Sequence, residues 1–180
     1  MSETVYILLF RGVGGATQLP TKALREALSE AGFSNCGTYI NSGNAYLRTS
    51  LNRESVLAKV SEICQARFGF AKDIYAVTLP EWRELVSRNP FAGEFKEGRF
   101  MHAAVLGTAP APEAIRMLKA LATPGEGIEI VGNVAYLHTP GGFSESRLGV
   151  KFDKGLGVAN TARNWNTVLK LLDLAEQTAS

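Results

Sequence analysis

Every position from Val5 to Phe10 is apolar, the pattern of a strand covered on both faces and so central in its sheet. Arg11-Gly12-Val13-Gly14-Gly15 breaks the run. Pro20 suits the opening turn of a helix that puts Leu24, Leu28 and Ala31 on one side and stops at Gly32. Two strand-like runs follow, about Cys36 to Asn41 and Asn44 to Thr49, joined by Asn, Ser and Gly as a hairpin with polar groups at its tip. Asn52 is placed to cap a second helix reaching about Phe68, with Val56, Val60, Ile63 and Cys64 as its buried stripe. A strand over Asp73 to Leu79 completes the unit. The order strand, helix, strand, strand, helix, strand is the split βαββαβ arrangement of ferredoxin-like folds.

Pro80 starts a short helix containing Trp82, Leu85 and Val86, which ends at Asn89-Pro90 because a residue before proline avoids helical angles. Phe91 to Phe100, with two glycines and mixed charge, is the expected boundary. It divides the chain into halves 1–90 and 91–180, as two domains or as parts of one compact domain. The second half reads as a strand over Met101 to Leu106, a helix over Pro112 to Leu121, and a hairpin of Glu129 to Val131 with Val134 to His138 across Gly132-Asn133. Thr139-Pro140-Gly141-Gly142 then forms a loop, with a short helical turn over Ser144 to Leu148. A final helix is expected from about Thr161, docked through Trp165, Val168, Leu169 and Leu172 at i, i+3, i+4 and i+7. The fold class is therefore α+β: a ferredoxin-like half, a second half of βαββ type and a C-terminal helix. The second half echoes the first in topology, although no residue-level repeat accompanies the echo.

The bulk composition changes this picture little. At 180 residues and 46% hydrophobic positions, the chain has enough apolar material for a core. Nineteen basic and seventeen acidic side chains leave a formal charge of +2, too mild to argue for nucleic acid by itself. The run Val5 to Phe10 is one strand long, short of a secretory signal or membrane span. Cys36 and Cys64 have no metal-type spacing and suggest no disulfide framework, so a cytoplasmic protein with reduced thiols and no metal site is expected.

Candidate chemistry lies in two polar stretches. In ferredoxin-like strand order the first strand lies antiparallel to the strand after the hairpin, so Arg11 leaves the sheet where Asn41, Ser42 and Asn44 turn. The helix opening near Pro20 and Thr21 starts from the same edge. A cation, a helix N-terminus, the glycines Gly14 and Gly15 and an amide-rich turn together suit a phosphate or carboxylate. In the structural alternative, Arg11 satisfies turn carbonyls and Asn-Ser-Gly-Asn is good turn chemistry. The second stretch is Thr161 to Thr167. An arginine in the first turn of a helix opposes the dipole at about 0.3 to 1 kcal/mol unless an anion compensates. Asn164 and Asn166 are poor interior helix formers, and Arg163 and Thr167 share a face at i, i+4. Here too an alternative stands: Asn160 or Thr161 as a cap, and Arg163 paired with an internal carboxylate such as Asp153.

Other signals are weaker. Arg147, Lys151, Lys154, Arg163 and Lys170 against Asp153 alone make either a basic patch or scattered surface charge. Gly155-Leu156-Gly157 and Gly12-Val13-Gly14-Gly15 do not complete GxGxxG, and there is no Walker sequence. His102 and His138 both fall in strands and read as core or edge histidines. The chain has no GxSxG, HExxH or CxxC, so the ordinary hydrolase, zinc and redox signals are missing.

Five stretches, Tyr6 to Gly15 (YILLFRGVGG), Thr38 to Asn44 (TYINSGN), Asn89-Pro90-Phe91, Tyr136 to Gly141 (YLHTPG) and Thr161 to Thr167 (TARNWNT), resemble an uncharacterised bacterial family, the domain of unknown function 1697. The likeness spans nearly the whole chain, and its last motif is the most specific. Where family members usually carry RGINVGG, this chain is two residues shorter and lacks that loop's asparagine, while Arg11 and the two glycines are present. The resemblance implies a compact α+β protein and brings no activity and no cofactor with it.

The leading functional expectation is a protein that holds a small anionic or phosphorylated ligand between Arg11, the Asn41 to Asn44 turn and the start of the last helix. Nucleic-acid binding across a sheet face is the second reading, and a small transferase or hydrolase the third. Aromatics do not gather in any one strand as a stacking platform would require, which counts against the second.

Overall fold

In the computed structural model, which describes residues 2–13, 18–40 and 43–180, the chain divides into two units, Met1–Glu84 with Lys170–Ser180, and Leu85–Leu169. The first contains β1 (Thr4–Phe10), α1 (Thr21–Glu30), β2 (Ser34–Thr38), β3 (Asn44–Thr49), α2 (Arg53–Phe68) and β4 (Ile74–Thr78). Its strands lie in the order β2-β3-β1-β4, every neighbour antiparallel. This is the ferredoxin-like order expected from the sequence.

Alternation explains why β1 has an unbroken apolar run after Thr4. Tyr6, Leu8 and Phe10 face one way and join Ala45, Leu47 and Ala76 of the flanking strands under Leu24 and Leu28 of α1 and Val56, Val60 and Cys64 of α2. Val5, Ile7 and Leu9 face the other way and are buried too, so a polar residue at any of these positions would be desolvated. Helix α2 begins as its sequence predicts: the Asn52 side chain accepts the Ser55 amide at 2.9 Å, and Gly69 ends the helix at a φ of +62°.

Helix α3 (Leu79–Ser87) leads from the first unit into the second. Thr78 and Glu81 start it with a reciprocal box: the Thr78 amide donates to the Glu81 carboxylate at 2.9 Å and the Glu81 amide to the Thr78 hydroxyl at 3.4 Å.

The second unit repeats the first more fully than its sequence suggests. It contains β5 (Met101–Leu106), α4 (Pro112–Lys119), β6 (Gly127–Val131), β7 (Val134–His138), α5 (Arg147–Leu156) and β8 (Asn160–Asn164). Their order is β6-β7-β5-β8, again antiparallel throughout. The expected βαββ pattern is thus a complete βαββαβ. Ala104, Leu106, Ala135, Leu137 and Ile128 of the sheet pack with Leu118 of α4 and Leu148, Phe152 and Leu156 of α5.

Three expectations need correcting here. The short turn over Ser144 to Leu148 is the start of the ten-residue helix α5, whose N-cap Ser146 accepts the Gly149 amide at 3.2 Å. The last helix, α6 (Trp165–Ala179), does not begin at Thr161, because Asn160–Asn164 is strand, paired with β5 from Leu106↔Asn160 to His102↔Asn164. Its buried face is Trp165, Val168, Leu171 and Ala175. Leu169, expected on that face, is 44% exposed.

Among the described residues no helix is long and apolar enough to cross a membrane. Nor, among them, do three His, Cys, Asp or Glu side chains gather as a metal site.

Candidate functional site

The edge of the first sheet where β1 ends is built by two strand pairings and one further backbone bond. Leu9 lies opposite Asn44, Phe10 lies opposite Ile74, and the Phe10 amide donates to the Gly43 carbonyl at 2.9 Å. The hairpin turn and the start of β4 therefore flank the point where the chain passes into Arg11. Gly43 has a φ of +79°, and a side chain there would place its Cβ 2.8 Å from the Phe10 carbonyl oxygen. Only glycine gives the turn both its angle and its close approach.

Arg11 is half-buried, and its amide donates to the Asp73 carbonyl at 3.0 Å. The neighbouring Lys72 reaches back over Gly12 and donates to its carbonyl at 3.3 Å. Lys72 was not singled out in the sequence. The signal was available, because the strand order puts the residues just before β4 beside the end of β1.

Helix α1 starts at the same edge, since β2, which follows it, runs parallel to β1 and begins beside Arg48 at the far end of the sheet. Pro20 supplies no capping side chain, and the first turn of α1 carries no acidic residue. The helix N-terminus therefore keeps its positive end uncompensated by its own sequence. Asn44 is only 2% exposed, and its side-chain amide donates to the Tyr39 carbonyl at 3.3 Å, closing the hairpin from within. Gly14, Gly15, Asn41 and Ser42 lie outside the described residues.

The second polar stretch belongs to the other unit. Arg163 sits in β8 opposite Ala103, so the argument from a helix dipole does not apply to it. Its guanidinium turns inward and donates to the Thr161 hydroxyl at 2.7 Å and the Ala162 carbonyl at 2.8 Å. Burial lowers its pKa to about 10. Asn164, and not Asn160 or Thr161, caps the last helix by accepting the Thr167 amide at 3.0 Å. Asn160 instead donates to Asp153 at 2.9 Å. Thr167 is buried, and Asn166 is exposed beside Gly98, where any side chain on Gly98 would collide with the Asn166 carboxamide.

The histidines differ in setting. His102, in β5, has its ring 4.6 Å from that of Phe143, and burial lowers its pKa to about 4. His138, at the end of β7, is 7% exposed, with the rings of Phe91 and Phe95 at 5.9 and 6.3 Å.

Comparison with known proteins agrees with this architecture. The structure of the conserved bacterial protein SP0830 from Streptococcus pneumoniae superposes with a TM-score of 0.77 at 18% identity, covering 97% of this chain and 99% of that one. At that identity the likeness speaks of fold. A comparison with curated proteins finds none that matches. A family described as "Protein of unknown function (DUF1697)" matches residues 3–136, well over half of the sequence, and the chain belongs to that family.

Proposed function

We propose that the protein binds a small anionic or phosphorylated ligand at the edge of the first sheet. The reading is supported by two cations, Arg11 and Lys72, at the end of the first sheet from which α1 also starts, a helix with neither a side-chain cap nor an acidic first turn. Helix amides and adjacent cations favour phosphate and carboxylate groups through both charge and hydrogen bonding. Asn41, Ser42, Gly14 and Gly15 belong to the same proposal through their place in the sequence beside this edge.

The reading is tested by titrating the protein with inorganic phosphate, pyrophosphate and a set of phosphorylated metabolites at low salt while following thermal unfolding. A ligand present at 100 times its dissociation constant stabilises by about 2.7 kcal/mol. The effect should shrink with added salt and fall in Arg11→Ala and Lys72→Ala. Absence of stabilisation by every anion would remove the proposal.

A further inference from the structure

The second unit contains a cavity of about 290 Å³ whose lining includes His138 and three apolar groups, Phe95, Phe100 and Pro140. Its walls come from stretches far apart in sequence. Phe91 lies over Gly127, whose partner across the sheet is His138, and a side chain on Gly127 would come 2.8 Å from the Phe91 ring. Phe95 stands between His138 and Trp165, its ring centroid 6.3 and 6.1 Å from theirs. Two hydrogen bonds hold this frame: the Asn89 side chain accepts the Phe91 amide at 2.9 Å, and the Thr139 amide donates to the Phe100 carbonyl at 2.9 Å.

His138 is the one polar ring among these walls. It is 7% exposed and lines the cavity, with the rings of Phe91 and Phe95 beside it. Its ring nitrogens, unlike Nδ1 of His102, are not sealed without a partner, so a group entering the cavity can bond them in place of water. The charges around the mouth oppose one another. Glu94, Lys96 and Glu97 also line the cavity, and Arg99 pairs with Glu97 at 2.9 Å while lying over the Phe100 ring at 4.5 Å. Two negative and two positive groups leave no net field to attract a phosphate.

A ligand suited to this cavity is therefore small, uncharged and flat, with a hydrogen-bonding edge for an imidazole that both donates and accepts. We propose that it is the base of a nucleoside, stacked against Phe95 and Phe100 with its polar edge on His138. Base-on-aromatic stacking tolerates different bases because each has a π-face. The site lies wholly in the second unit and does not rest on the anion site of the first.

The test is calorimetric titration of the full chain with adenosine, guanosine, cytidine and uridine at low and high salt, with tryptophan and tyrosine as competing flat ligands. At least one nucleoside should bind saturably, with an affinity that salt leaves unchanged. His138→Phe keeps a ring in place and should weaken binding about fivefold, the value of one neutral hydrogen bond. Phe95→Leu should weaken it about tenfold through lost stacking. Thermal melts check that both variants fold; if either does not, the wild-type titration decides. The proposal is overturned if no nucleoside binds the wild type, if the free amino acids bind more tightly than every nucleoside, or if folded His138→Phe binds as well as the parent. None of these results affects the phosphate titration, which is read on Arg11 and Lys72.

Discussion

The side-chain oxygen of Asn164 accepts the backbone amide of Thr167 at 3.0 Å, and this bond marks where β8 stops and α6 begins. Asn164 is both the last residue of a strand, opposite His102, and the cap of a helix. Asn164→Ala should cost about 1 kcal/mol in urea unfolding, while Asn164→Asp or Asn164→Ser should cost much less, because each retains an acceptor for the orphan amide. Equal losses in all three would show that the cap contributes nothing.

The same bond shows why part of the fold was legible in the sequence and part was not. Strands β1, β3 and β5 announce themselves through apolar content or through a turn at their border, and Asn52 announces α2. Asn160-Thr161-Ala162-Arg163-Asn164 has no apolar alternation, and nothing local favours a strand there. It becomes one because β5 offers an edge to pair with, a nonlocal cause that periodicity does not record. A helix reading therefore sets Arg163 against a dipole, whereas its setting is a partly buried sheet position. The aromatic group around His138 was hidden for a related reason. Phe91, Phe95 and Phe100 lie in a glycine-containing stretch that reads as a boundary, and only the end of β7 brings them together. The Arg11 edge was legible because ferredoxin-like strand order dictates it once the element order is known.

Tyr136 donates its hydroxyl to the Leu85 carbonyl at 2.6 Å, within the second unit and away from water. Leu85 lies in the last turn of α3, where carbonyls have no partner further along the helix. Tyr136→Phe leaves that oxygen desolvated and should destabilise by about 1 to 3 kcal/mol, read as a lower urea midpoint at unchanged slope. A change below a few tenths of a kcal/mol would mean that water or another group takes the hydroxyl's place.

Ile40 is 50% exposed and has a φ of +49°, in a region that a β-branched side chain strongly disfavours. The side chain repays little of that strain through burial. Ile40→Asn should therefore stabilise the chain by about 1 kcal/mol, since Asn tolerates the left-handed region, whereas Ile40→Val should change little. Chemical denaturation of the three proteins distinguishes the outcomes. A loss of stability in Ile40→Asn would show that the isoleucine has a packing role that outweighs its backbone cost.

His102 gives the fold a defined acid sensitivity. Its ring packs on Phe143 at 4.6 Å, its Nδ1 is buried with no hydrogen-bond partner among the described residues, and burial lowers its pKa from 6.5 to about 4. The folded state thus favours the neutral ring, and the unfolded chain takes up a proton first as pH falls. The contribution to stability is fully present above about pH 6.5, declines as pH drops from there toward 4, and is gone below. A shift of this size corresponds to about 3 kcal/mol across that window. His102→Phe preserves an aromatic ring and removes the titrating group, so its stability should fall less than the parent's between pH 6.5 and 4. Both proteins lose the same carboxylate contributions in acid, so the difference between their unfolding free energies isolates the imidazole. That difference should be flat above pH 7, should shift steadily in favour of the variant through the window, and should level off below pH 4. Parallel curves over the whole range would show that His102 is as well solvated in the folded protein as in the unfolded chain.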